Sequence, residues 1–204
     1  MTRKPTAARP LNWPGDPETV AAADIDFEAL AHVLANTCRR GGCMRGYHSV
    51  AAHAVIVSEE VGALDGLGDE DRRRLALHAL LADAPSAWLR GAAPGSQRAA
   101  DRTGRLAAAI EAAVREAAGL DAVLHEEQAE LLRFVTRMAA AAENRDLLEP
   151  GSGSGRGLAA GAGVAFPPLK RRIGSIPPAK AAEAWLARFR ALAGDGGAAD
   201  AIAS

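Results

Sequence analysis

Residues 78–89 read His-Ala-Leu-Leu-Ala-Asp-Ala-Pro-Ser-Ala-Trp-Leu, and residues 38–53 read Cys-Arg-Arg-Gly-Gly-Cys-Met-Arg-Gly-Tyr-His-Ser-Val-Ala-Ala-His. In both, histidine, arginine or aspartate is set among small and apolar residues. The first stretch closes a helix predicted over about Glu70–Leu89, after a turn at Gly66–Asp69. Pro85 lies inside that helix, where it removes a backbone hydrogen bond, so a kink or interruption is expected there. The second stretch leads into a helix predicted over about His48–Val61 that ends near Gly62, with Gly41-Gly42 as the break before it.

Further out, Asp24 is a candidate N-cap for a helix on which Phe27, Leu30, Ala31 and Leu34 share one face. Two longer helices are predicted near Ala99–Ala118 and Ala122–Leu148, separated from the earlier ones by a break at Ala92–Ser96. A last helix over about Ala179–Leu192 puts Ala182, Trp185, Leu186 and Phe189 on one stripe that should dock on a core. Residues 1–23 hold Pro5, Pro10, Pro14 and Pro17 and are expected to be extended. Residues 151–163 form a Gly/Ser/Ala loop expected to be flexible, and residues 195–204 a disordered tail. Gly155-Arg156-Gly157 superficially matches a dinucleotide fingerprint, but no strand precedes it and that reading is rejected. The expected fold is all-α: one helical domain over 24–194 with about six or more helices, no strand and no internal repeat.

Composition agrees with a packed helical domain. The chain has 204 residues, 49% of them hydrophobic and only 4% aromatic, with abundant Ala. Small side chains favour close helix packing over a β-sandwich. A net charge of -1 gives no general reason to expect nucleic acid or acidic lipid as partner. Arg72-Arg73-Arg74 and Lys170-Arg171-Arg172 lack interleaved aromatics and read as solvated faces. Two cysteines, Cys38 and Cys43, are too few for a disulfide framework. With no apolar run fit for a leader or a membrane span, the expectation is a cytoplasmic protein.

Together with Asp24-Ile-Asp-Phe-Glu-Ala-Leu-Ala-His32, Glu143-Asn-Arg-Asp-Leu147 and the final amphipathic helix, the two quoted stretches resemble the HD-domain phosphohydrolases. The nearest group is the small bacterial and phage members related to nucleotidases and deoxynucleotide hydrolases. The resemblance runs from about Arg9 to Gly194. It implies a helical site in which one histidine, a His-Asp pair and a later aspartate hold a divalent metal (Mn, Mg, Co or Fe). The ion activates a water for attack on phosphorus. A glutamate one turn after the pair assists proton transfer, and arginines neutralise the phosphate.

Carried over residue by residue, the resemblance keeps only part of that site. His53 and Asp83 stand at two ligand positions, and Arg39 and Arg45 at the phosphate-binding ones. The paired histidine is replaced by Ala82, the distal aspartate by Thr136 and the assisting glutamate by Ser86. Gly91 stands where an acid is expected after Leu89, and Cys43 where the family has histidine. A methyl group cannot ligate, and a Thr hydroxyl is a poor substitute for a carboxylate.

Neighbouring residues offer weak replacement. His78 lies one turn before Ala82, about 6 Å along the helix, and about 140° around it from Asp83. Cys43, His48 and His53 are the alternative set for a new metal or nucleophilic site, although nothing in the sequence fixes a base beside Cys43. His32 and His125 read as ordinary helix residues, and Trp13, Trp88 and Trp185 as core or lid packing.

The expectation is therefore a phosphohydrolase-like protein with a degraded metal site and no resident cofactor. It is catalytically inactive and retains binding of a phosphorylated small molecule, a nucleotide or a partner protein. The alternative is an active metal-dependent nucleotide phosphohydrolase, of 5'-nucleotidase or deoxynucleotide-hydrolase type, with a rearranged site. Dimerisation is common in the family, which makes a homodimer a further expectation.

Overall fold

In the computed structural model of the chain, the residues described are 19–89, 97–120, 123–148 and 166–202. They form six α-helices and no strand: α1 Phe27–Asn36, α2 Val50–Gly62, α3 Asp69–Leu81, α4 Gln97–Ala117, α5 Glu126–Leu147 and α6 Pro178–Ile202. The all-α reading holds. None of these helices is long and apolar enough to cross a membrane. Trp13, Gly91 and the 151–163 loop lie outside the described residues.

Several boundaries differ from the sequence reading for identifiable reasons. Asp26 is the N-cap of α1, and its carboxylate accepts from the backbone N–H groups of Glu28 and Ala29 at 2.9 and 3.0 Å. Asp24 instead closes a short 3-10 turn over Ala22–Asp24, accepting from Ala21 N–H at 3.0 Å. Pro85 does interrupt its helix, more severely than a kink. The helix α3 stops at Leu81 and does not reach Leu89, and a separate 3-10 turn spans Ala84–Ala87. At the chain's end the helical backbone continues to Ile202 past a kink at Gly194 (φ 71°), where a disordered tail was expected.

Helix α6 closes the core against α1, α2 and α3. Its stripe of Ala181, Trp185, Phe189 and Leu192 is buried. Phe189 stacks on Phe27 with ring centroids 4.1 Å apart and on Trp185 at 5.6 Å, so three aromatics concentrate much of the chain's scarce aromatic surface in one place. The contact between α2 and α3 is built from small residues, as the composition implies. Ala51, Ala54, Ala76 and Ala79 are buried, and Ser58 Oγ donates to Ala76 O at 2.8 Å. Arg188 reaches across from α6 and donates to Ser58 Oγ and O at 3.0 and 2.9 Å. Replacing Phe189 by Ala should lower unfolding stability by about 3–5 kcal/mol in urea denaturation. A loss below about 1 kcal/mol would show that α6 does not close the core.

Candidate functional site

The site begins with a pinched loop. Arg39 N–H donates to His48 O and Val50 N–H to Thr37 O, both at 2.9 Å, forming an isolated antiparallel bridge between Cys38 and Ser49. Between these ends Arg40, Gly41 and Gly42 all take left-handed backbone angles, with φ of 51°, 60° and 81°. Glycine adopts that region freely, but an arginine there costs roughly 1–2 kcal/mol. Ser49 then caps α2 by accepting from Ala52 N–H at 3.1 Å, which sets His53 on the helix's first turn.

Helix α5 supplies the residue that organises everything around this loop. Glu143 is completely buried. Its Oε1 accepts from His53 Nδ1 at 2.5 Å and from His48 Nε2 at 3.1 Å, while Oε2 accepts from Arg39 Nε at 3.3 Å. Both imidazoles are also buried, with exposures of 2% and 1%. Burial pushes the Glu143 carboxyl up. The hydrogen bonds from His48 and His53, with the charges of His53 and Arg39, outweigh burial and hold it well below the usual carboxylate range. The buried acid is thus an ionised one.

Arg39 and His53 also face Asp83. Arg39 Nη1 lies 3.6 Å and His53 Nε2 3.8 Å from Asp83 Oδ2. Of the positions that the resemblance marked, Arg39, His53 and Asp83 thus lie together. Arg45 is exposed and does not line the adjoining cavity; its backbone N–H donates to Leu147 O at 2.7 Å. The cavity, about 460 Å³, is bounded by residues that include Asn36, Cys38, Arg39, Arg40, Asp83 and Ser86.

The remaining candidates fall elsewhere or take structural roles. Thr136 Oγ1 donates to Leu132 O at 2.8 Å, a bond to its own helix. Ser86 Oγ donates to Asp83 O at 2.7 Å and so braces the turn that follows α3. Ala82 ends that helix. His78 is buried on its last turn, Cys43 is exposed, and His48 is given over to Glu143. The alternative set Cys43, His48 and His53 does not form a cluster suited to a metal. His32 is an exposed helix residue as expected, whereas His125, also exposed, stands just before α5 as its extended N-cap. Arg171 and Arg172 pair with Glu59 and Asp146, each at 2.6 Å.

Two residues escaped the sequence reading. Glu143 entered it only as part of the Glu143–Leu147 segment, and Arg40 only as part of the 38–53 stretch. Glu143 also neutralises Arg39, a pairing that the sequence did not single out. Among the described residues no three His, Cys, Asp or Glu side chains are grouped to hold a metal ion. His53 and Asp83 are two donors, and a hard divalent cation needs more protein or substrate oxygens to be held against water. The donor set does not fit the metal that the resemblance implies.

No protein-family model matches the chain, and no curated protein matches it.

Glu143→Gln should destabilise the fold by about 3 kcal/mol or more, since an amide at a fully buried position cannot balance the half-buried Arg39 guanidinium or accept from both imidazoles as well. The folded carboxyl titrates below its ordinary value of 4.5, so its stabilising effect is present above that pH and lost as pH falls. Denaturant titrations from pH 7 to pH 3 should therefore show the gap between wild type and variant closing on the acid side. A gap independent of pH would contradict an ionised Glu143.

Proposed function

We propose that this chain is a degenerate relative of the HD-domain phosphohydrolases that binds a phosphorylated small molecule and does not hydrolyse it. Arg40 carries the reading. Its Nε is buried without a hydrogen-bond partner, and the residue lines the cavity beside an Arg39 already paired with Glu143. Burial, and then the charge of Arg39, push the Arg40 guanidinium down from its usual value, with Glu143 pulling the other way. Arginine is not deprotonated in proteins. The energetic strain is relieved by an anion, and phosphate offers charge together with acceptors matched to a guanidinium fork. The left-handed backbone at Arg40 supports the same view, since strain of this kind concentrates at ligand sites.

A working hydrolase with a rearranged site is supported less well. It needs a third ligand beside His53 and Asp83, and the nearest acid, Glu143, is committed to His48, His53 and Arg39. Ser86, at the proton-transfer position, is engaged with backbone.

Calorimetric titration with inorganic phosphate and with AMP, in EDTA, tests the proposal. Arg40→Gln should weaken binding by roughly tenfold or more, as expected for loss of a charge-assisted bond. Arg45→Gln should change it by less than about twofold, the range of a distant exposed charge. Binding that is indifferent to Arg40→Gln would overturn the site. Turnover of AMP on adding Mn²⁺ would favour the hydrolase.

A further inference from the structure

Asp83 is placed where it has little to do. In the resemblance it is a metal ligand, but the donor set around it does not fit a metal. Its carboxylate is about 38% exposed, and its two polar approaches, Arg39 Nη1 at 3.6 Å and His53 Nε2 at 3.8 Å, both exceed hydrogen-bond length. Its backbone carbonyl, by contrast, is satisfied by Ser86 N–H and Oγ at 3.0 and 2.7 Å, so the residue is rigidly presented. On the same cavity stands Arg40, whose Nε has no partner. The cavity thus offers a cation that lacks an acceptor and a carboxylate that lacks a donor.

We infer that the cavity selects a phosphorylated polyol or sugar, with Arg40 taking the phosphate and Asp83 accepting from hydroxyl groups. This rests on the anion-binding reading above and adds a second recognition element to it. A bare phosphate satisfies Arg40 and leaves Asp83 facing an anion of like sign. An ammonium would suit Asp83 in isolation, but Arg39 lies 3.6 Å away and Arg40 lines the same space, so a third cation is opposed. Neutral hydroxyls donate to the carboxylate without adding charge. They also leave the Arg39–Glu143 pair undisturbed. A volume of about 460 Å³ is within the usual size of a small-molecule pocket and accommodates a sugar phosphate.

Three probes separate the possibilities by calorimetry in EDTA: inorganic phosphate, ribose 5-phosphate and phosphoethanolamine. Wild type should bind ribose 5-phosphate at least about tenfold more tightly than phosphate, and phosphoethanolamine no more tightly than phosphate. Asp83→Asn should reduce the preference for ribose 5-phosphate to within about twofold. Equal affinity for ribose 5-phosphate and phosphate in wild type would overturn the inference while leaving the anion site standing. So would a preference that survives Asp83→Asn, or tighter binding of phosphoethanolamine. If no probe binds, the anion-binding reading fails first and this inference with it. The wild-type ratio decides the matter even if the variant does not fold.

Discussion

A single buried carboxylate sets the terms for everything around it. Glu143 has no contact with water and accepts hydrogen bonds from two imidazoles and a guanidinium. Removing such a charge from water costs several kcal/mol, and only close partners on every side can offset that. Those partners come from the 38–49 loop and the first turn of α2, so the carboxylate stitches loop, α2 and α5 into one unit. The loop can hold three consecutive left-handed residues because its ends are pinned by the bridge and its arginine is anchored at depth.

The same interaction decides what chemistry the site keeps. By taking His53 Nδ1–H, Glu143 leaves the imidazole's other nitrogen facing Asp83, an orientation that would suit a metal ligand. By taking Arg39, it removes that cation's appetite for phosphate. The unmatched groups are then Arg40 and Asp83, one of each sign, and both line one cavity. Nearby side chains add no further donor to the cavity: Ala82 carries only a methyl, the Thr136 hydroxyl is bonded to its own helix and the Ser86 hydroxyl braces the backbone.

Helix spacing made most of the fold legible in the sequence. Phe27, Leu30, Ala31 and Leu34 are buried as their periodicity requires, and so are Trp185 and Phe189. Pro85 was legible as an interruption, but a proline's chemistry does not say whether a helix bends or stops, and here it stops. Asp24 and Asp26 are equally good caps by residue type, and only the 3-10 turn before α1 settles which one acts. At the site, His53, Asp83 and Arg39 were singled out only by the resemblance, and the structure brings them together. Glu143 was missed although a signal existed. On α5 the buried positions Leu132, Val135, Ala139 and Ala142 run into Glu143, so an acid interrupts an apolar stripe. A charge in such a place must have partners, and histidines and arginines in a glycine-rich loop were the available ones. Arg40 left no comparable mark, because its significance depends on a backbone angle and on Arg39 already being engaged.

The account stands on which nitrogen of each buried imidazole carries the proton. Long-range ¹H–¹⁵N NMR reads this directly. If Glu143 is an ionised acceptor, His53 must carry a proton on Nδ1 and His48 one on Nε2, and both should be held less firmly in Glu143→Gln. A His53 ring protonated on Nε2 with a bare Nδ1 would contradict it, because Glu143 would then have nothing to accept from that ring.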